Sequence, residues 1–150
     1  MTMEPLAVPA SLDALPHVRD YIEHAVAEAG VDPDKGYRLV LGVDEVVTNT
    51  ITHGYANAPP PDDQAAITVV AEITPRELVV TIDDQAPPFD TRNQAAPTPE
   101  ELAAPAADRT PGGLGLYLAR TGVDRFEYNW IEGHNRTILT MQRATGKDTP

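Results

Sequence analysis

Glu45, Asn49 and His53 recur at four-residue steps in an apolar-periodic stretch. At about 100° per residue they share an arc of about 80° on a helix. Leu39, Val43, Val46, Val47 and Ile51 fall on the adjoining arc, so the polar stripe borders the buried face instead of opposing it. A carboxylate there can act as a base, and an amide oxygen one turn on can ligate a hard cation such as Mg²⁺. The same spacing also fits a solvated polar edge. A second group is Asp83-Asp84 at the end of an apolar strand, followed by Gln85-Ala86-Pro87-Pro88-Phe89-Asp90. A strand-end carboxylate beside an apolar pocket can accept a hydrogen bond from an exocyclic amine such as adenine's. An Asp in this position also serves simply to end a strand in a turn. The third group is Gly112-Gly113-Leu114-Gly115 at the start of a helix, where backbone N–H groups can approach a phosphate. No Gly-Lys-Ser/Thr follows, which excludes a P-loop, and no strand of a parallel sheet leads in, as a dinucleotide fingerprint requires.

The elements that must carry these groups follow from the hydrophobic pattern. Glu4 to Val8 predicts a short strand ended by Pro9. A helix follows, capped by Ser11 or Asp13, with Pro16 in its first turn, an apolar stripe of Leu15, Val18, Ile22, Val26 and Ala29, and Gly30 as its stop. Asp32-Pro33-Asp34 starts a second helix, with Asp32 as capping carboxylate, running from about Pro33 to about Tyr55. Ala66–Ile73 and Glu77–Ile82 read as an antiparallel hairpin turned at Thr74-Pro75-Arg76. The Pro-, Ala- and Thr-rich stretch before the glycine cluster reads as a lid over about 91–111. A short helix, Leu116–Thr121, and two strands, Arg125–Trp130 and Arg136–Gln142, complete the order, with a polar tail over about 144–150. Helices gathered beside a mostly antiparallel sheet give an α+β two-layer sandwich, expected here as one domain over residues 1–150.

Composition narrows the function classes. The 150 residues carry 11 Lys and Arg against 23 Asp and Glu, a net charge of -12, which repels a phosphate backbone and argues against direct nucleic-acid binding. With no cysteine there is no disulfide, thiolate metal site or thiol nucleophile. No apolar run reaches membrane-spanning length and the first residues lack a secretory signal pattern. The expectation is a cytoplasmic protein with no membrane partner.

Taken in order, these segments resemble the ATP-binding domain shared by gyrase, the Bergerat-fold heat-shock chaperone, histidine kinases and MutL, the GHKL superfamily. Within it the chain is similar to RsbW-type anti-sigma factors, which are small serine-protein kinases. The likeness runs from the first strand and Val18-Arg19 to about Met141. Asp44 through Tyr55 is similar to that family's N-box helix, Asp84 through Asp90 to its adenine box, and Gly112 through Leu118 followed by Asp124 to its glycine-rich lid box. The resemblance implies Glu45 as general base, Asn49 as Mg²⁺ ligand and Asp84 as acceptor for the adenine amino group. It further implies that Gly113 and Gly115 bring amides to the phosphates and that Thr137 lines the adenine pocket. ATP and Mg²⁺ are the implied cofactors. A sigma factor and a serine-bearing STAS-domain anti-anti-sigma protein are the implied partners, with a homodimer as the implied assembly. The alternative is a non-catalytic, nucleotide-binding module that only sequesters its partner. The adenine box departs from the family in carrying Ala86 and Pro88 where glycines are usual; the methyl adds bulk and the proline removes an amide donor. A sensor histidine kinase fragment is disfavoured, since His17 and His24 lie on a helix too short for a phosphoacceptor pair.

Overall fold

The computed structural model describes residues 1–90 and 113–144. The expected lid over 91–111, Gly112 and nearly all of the polar tail lie outside the described residues. The elements are β1 (Leu6–Val8), α1 (Leu15–Ala29), α2 (Pro33–Asn49), β2 (Ile67–Ile73), β3 (Glu77–Asp84), α3 (Gly113–Gly122), β4 (Arg125–Ile131) and β5 (His134–Gln142). The five strands form one sheet in the order β1-β2-β3-β5-β4, antiparallel at every pairing. Burial alternates along β2, β3 and β5, so one face of the sheet is covered, as a two-layer α+β sandwich requires.

The core lies between that face and the helices. Val18 and Ile22 of α1 and Leu39, Val43 and Val47 of α2 meet Ile67, Val69, Leu78, Val80, Ile82, Leu139 and Met141 of the sheet, all fully or almost fully buried. Each such side chain contributes about 1.5–3 kcal/mol. Leu15, Val18 and Ile22 are therefore core residues. The fourth position of that stripe differs from expectation: Ala25 is fully buried, while Val26 is partly exposed and turned toward α2. A Cβ on Gly36 would come within 2.5 Å of Val26 Cγ1, so α1 packs on two neighbours and its stripe is widened accordingly.

Local signals decide the ends. Ser11 Oγ accepts from Asp13 N at 3.2 Å and opens a short 3₁₀ turn, Leu12–Ala14, ahead of α1. Gly30 ends α1 in the left-handed region, φ 66°, which favours glycine. Asp32 does not cap α2 through its carboxylate; it is extended and only its carbonyl takes part, accepting from Gly36 N at 2.7 Å. β1 starts at Leu6 rather than Glu4, although Met1 and Met3 already pair with the edge of β2, Met3 N donating to Ala71 O at 2.9 Å. β3 continues two residues past the expected end, to Asp84. β4 and β5 are joined through Glu132 (φ 50°) and Gly133 (φ 83°), the positive angles of a tight primed hairpin turn. Asp124, before β4, is a brace: its Oδ2 accepts from Lys35 Nζ at 2.9 Å and from Gln142 N at 2.6 Å.

The helical segment after Asn49 does reach Gly54, but with a change of winding. Thr50–Gly54 is a π-helical turn, closed by Tyr55 N donating to Thr50 O at 2.9 Å. Buried Tyr55 then donates its hydroxyl to Ala66 O at 2.7 Å and accepts from Gln85 N at 2.7 Å. The end of the second helix is thereby tied to both the start of β2 and the end of β3.

Arg143 closes the opposite end of the sandwich. Its Nε donates to Ala29 O at 2.7 Å and its Nη1 to Thr74 O at 2.8 Å and Pro75 O at 3.3 Å. One guanidinium thus satisfies the C-terminus of α1 and the β2–β3 turn. Arg143→Ala is expected to lower the unfolding free energy by about 1–3 kcal/mol in urea titration, and an unchanged midpoint would show that water replaces the side chain without cost.

Candidate nucleotide site

The last turns of α2 place Glu45 and Asn49 one above the other. Asn49 Nδ2 donates to Glu45 O at 2.8 Å and to Glu45 Oε1 at 3.1 Å. Both acceptors fix the amide's orientation and leave Oδ1 as its outward acceptor. Asn49 is buried and lines a cleft, so that oxygen is a suitable ligand for a hard cation. Among the described residues no group of three or more His, Asp or Glu could hold a metal ion. A cation here would take most of its oxygens from a bound phosphate and water, which is how Mg²⁺ is usually held. Burial pushes the Glu45 carboxyl above its ordinary range, and the hydrogen bond from Asn49 opposes part of that rise. His53 sits in the π turn, is exposed and lines neither cleft, yet it is near enough to favour the ionised form of Glu45 electrostatically.

Gly115, in the first turn of α3, lies against Glu45. A Cβ there would fall 1.9 Å from Glu45 Oε1 and 2.2 Å from Cδ. Only glycine lets the helix backbone approach the carboxylate this closely, and a helix N-terminus favours a negative charge beside it. Gly113 opens the same helix. Glu45 and Gly115 share a groove between α2 and α3 of about 340 Å³, with Arg38, Leu41 and Leu118 at its walls.

On the other side of Asn49, a second cleft gathers Asn49, Thr50, Asp84, Ala86, Asn135 and Thr137. Asp84 continues the inward-facing series Leu78, Val80, Ile82 of β3 and is 7% exposed. Its Oδ1 accepts from Ala86 N at 3.0 Å and Asn135 Nδ2 at 2.9 Å, and its Oδ2 from Thr50 Oγ1 at 3.3 Å. Desolvation raises its pKa against the pull of these donors. Asp83 faces the other way and forms a bidentate pair with Arg136, at 2.8 and 2.9 Å. The cleft is narrow, about 20 Å³, which holds a water and not a purine. Ala86 contributes to that: it is 2% exposed and its methyl lies where a Cβ on Gly54 would meet it at 3.0 Å. Its bulk is accommodated by a glycine of the π turn.

The other five residues picked from sequence thus lie to either side of Asn49: Asp84 and Thr137 in one cleft, Glu45 and Gly115 in the other, with Gly113 at the head of α3. Sequence reading missed Thr50 and Asn135. Thr50 lies one residue off the stripe and reaches Asp84 only across elements. Asn135 sits two residues before Thr137, on the same face of β5, and that period-two relation was the available signal.

The raised carboxyls set a sign for stability. A carboxyl whose pKa rises on folding binds its proton more tightly in the folded chain. It therefore costs stability above its ordinary pKa, 3.8 for Asp84, and the loss is complete once pH exceeds the raised value. Asp84→Asn keeps Oδ1 as acceptor for Ala86 and Asn135, and its new amide can donate to Thr50 Oγ1. The variant is expected to match or exceed the native melting temperature at pH 7, with any gain shrinking as pH falls to about 4. A drop of several degrees at pH 7 would mean that the buried charge is net stabilising.

Comparison with known proteins places this geometry. The histidine kinase-like ATPase domain family matches residues 8–143. A serine-protein kinase RsbW of Listeria monocytogenes is 29% identical over 130 residues, covering 85% of this chain and 80% of the relative. An anti-sigma F factor of Clostridium beijerinckii is 26% identical over 117 residues, 77% of each chain. Among solved structures, the RsbU and RsbW domains of Rv1364c from Mycobacterium tuberculosis superpose with a TM-score of 0.63 at 19% identity, over 94% of this chain and 32% of that one, a likeness of fold. The α+β architecture agrees with that match, and the chain belongs to the histidine kinase-like ATPase domain family.

Proposed function

We propose that this chain is an ATP-dependent anti-sigma regulator that sequesters a sigma factor and phosphorylates a serine on a STAS-type antagonist. The observation that carries the reading is the Asn49 amide, which joins the two clefts: bonded to Glu45 on one side, lining the Asp84 cleft on the other. Relatives of similar length named as a serine-protein kinase and an anti-sigma factor support it. The chain's charge of -12 complements a basic partner surface and favours fast encounter.

In this reading Asp84 Oδ2 accepts from the adenine amino group, and Thr137 lines the same cleft. Backbone amides at Gly113 and Gly115 approach the phosphates. Asn49 Oδ1 would hold a divalent ion, which would supply charge neutralisation on the transferred group. The partner's serine enters by the groove between α2 and α3. Its Oγ attacks the γ-phosphorus as Glu45 takes its proton, and the bond from phosphorus to the ADP oxygen breaks with its electron pair leaving on ADP. Glu45 must be ionised to act, so transfer rises with pH through its elevated pKa.

The second reading, a nucleotide-binding module without catalysis, draws on the narrowness of the Asp84 cleft. Phosphotransfer separates the two. Glu45→Gln is expected to slow transfer from labelled ATP to the antagonist by about 10²-fold or more with ATP affinity little changed, and to remove the acidic limb of the pH profile. Undiminished transfer in this variant would reject Glu45 as the base. Absence of transfer in the native chain, with ATP still bound, would leave the sequestering module.

Metal dependence gives an independent check. In calorimetric titration with ATP, Asn49→Ala is expected to abolish most of the gain in affinity that Mg²⁺ confers, while metal-free binding changes little. An equal Mg²⁺ effect in both proteins would remove Asn49 from the metal site.

A further inference from the structure

Asn135 is 4% exposed and every polar atom of its side chain is engaged. Nδ2 faces three acceptors: Asp84 Oδ1 at 2.9 Å, Ala86 O at 3.1 Å and Pro87 O at 3.1 Å. Its Oδ1 accepts from Phe89 N at 3.0 Å and from the Tyr128 hydroxyl. Three acceptors on one side and two donors on the other leave no freedom for the amide to flip. One side chain on β5 therefore holds the end of β3 and the whole turn after it.

The consequence falls on Asp84. Its Oδ1 already receives Asn135 and the Ala86 amide. Among the described residues its Oδ2 has only the Thr50 hydroxyl, at 3.3 Å, and that hydroxyl also reaches Val46 O at 3.1 Å. A hydroxyl has one proton, so it cannot fully serve both acceptors. Oδ2 is the carboxylate oxygen with capacity to spare. A turn carrying Ala86 and Pro88 also lacks the glycines that would let it mould itself to a ligand. Its shape is set instead by the bonds to Asn135.

We infer that Asn135, oriented by Tyr128, is a positioning residue that saturates one oxygen of Asp84 and presents the other to the exocyclic amine of a purine, so that it governs the choice of base without touching it. The inference rests on the assignment of Asp84 to the adenine amino group made above and extends it to the origin of selectivity.

The test compares ATP with purine riboside 5′-triphosphate, which lacks the 6-amino group, by calorimetry on the full chain. A hydrogen bond to a buried carboxylate corresponds to a preference of about 10- to 100-fold for ATP in the native protein. In Asn135→Ala that ratio is expected to fall to within about threefold of unity, whatever happens to the two affinities individually. Tyr128→Phe, which removes only the hydroxyl, is expected to reduce the ratio in the same direction by a smaller factor and serves if Asn135→Ala does not fold. A purely structural role would lower both affinities alike and keep the ratio, which would overturn the inference. So would a Tyr128→Phe ratio equal to the native one. A native protein that binds both nucleotides equally would instead refute the role of Asp84, and one that binds neither would refute the nucleotide reading itself; the inference falls with either.

Discussion

The arrangement of this site depends on a carboxylate that the strand's own periodicity forces inward. Leu78, Val80, Ile82 and Asp84 share a face of β3, so whatever occupies position 84 is pressed into the apolar layer. A charge there survives only if its oxygens are met by donors. Ala86 N, Asn135 and Thr50 meet them, and each donor drags its own element into place. The turn after β3 folds back, β5 brings Asn135 alongside, and the second helix continues far enough to present Thr50. The cleft is the by-product of solving that one desolvation problem.

The Glu45 side of the site solves a different problem by the same means. Its carboxylate is half-buried against the head of α3, held by Asn49 and left room by the missing side chain of Gly115. Burial raises the basicity of the carboxylate, while the Asn49 hydrogen bond limits the rise. Because Asn49 uses its amide protons on Glu45, its oxygen is released toward the other cleft. In the proposed reading the pair therefore couples the orientation of the base to that of the cation ligand.

The sequence made legible whatever is written in local periodicity. The order of elements, the antiparallel hairpin, the Gly30 stop and the Glu45–Asn49 spacing all follow from i, i+2 or i, i+4 relations, and the architecture follows from their order. The departures are cross-element. Nothing in Asp83-Asp84 alone says which carboxylate is paired outward to Arg136 and which is buried; one residue of strand phase decides it. Asn135 is an ordinary polar residue until β5 is set in register against β3, opposite Asp84. His53 is exposed, as a solvated polar edge allows, in a segment whose π winding no local periodicity announces. Asp32 stands at the N-cap as its sequence context indicates, but its carboxylate makes no capping bond there. The lid and most of the tail fall outside the described residues.

The π turn also bears on the width of so narrow a cleft. One wall, Asp84 to Phe89, is fixed by Asn135 and by the bond from Gln85 N to Tyr55. The facing wall is Val46 to Gly54, regular α-helix up to Asn49 and wider-wound beyond it. Single π turns are concentrated at functional sites, and this one is anchored through Tyr55, whose amide closes it on Thr50 O and whose hydroxyl is bonded to Ala66 O and Gln85 N. Gly54, at the end of that turn, leaves room for the Ala86 methyl, which a Cβ at Gly54 would meet at 3.0 Å. The width of the cleft between Gly54 and Ala86 is thus set by the missing side chain at Gly54, while Asn49, one turn earlier, is held by its bonds to Glu45.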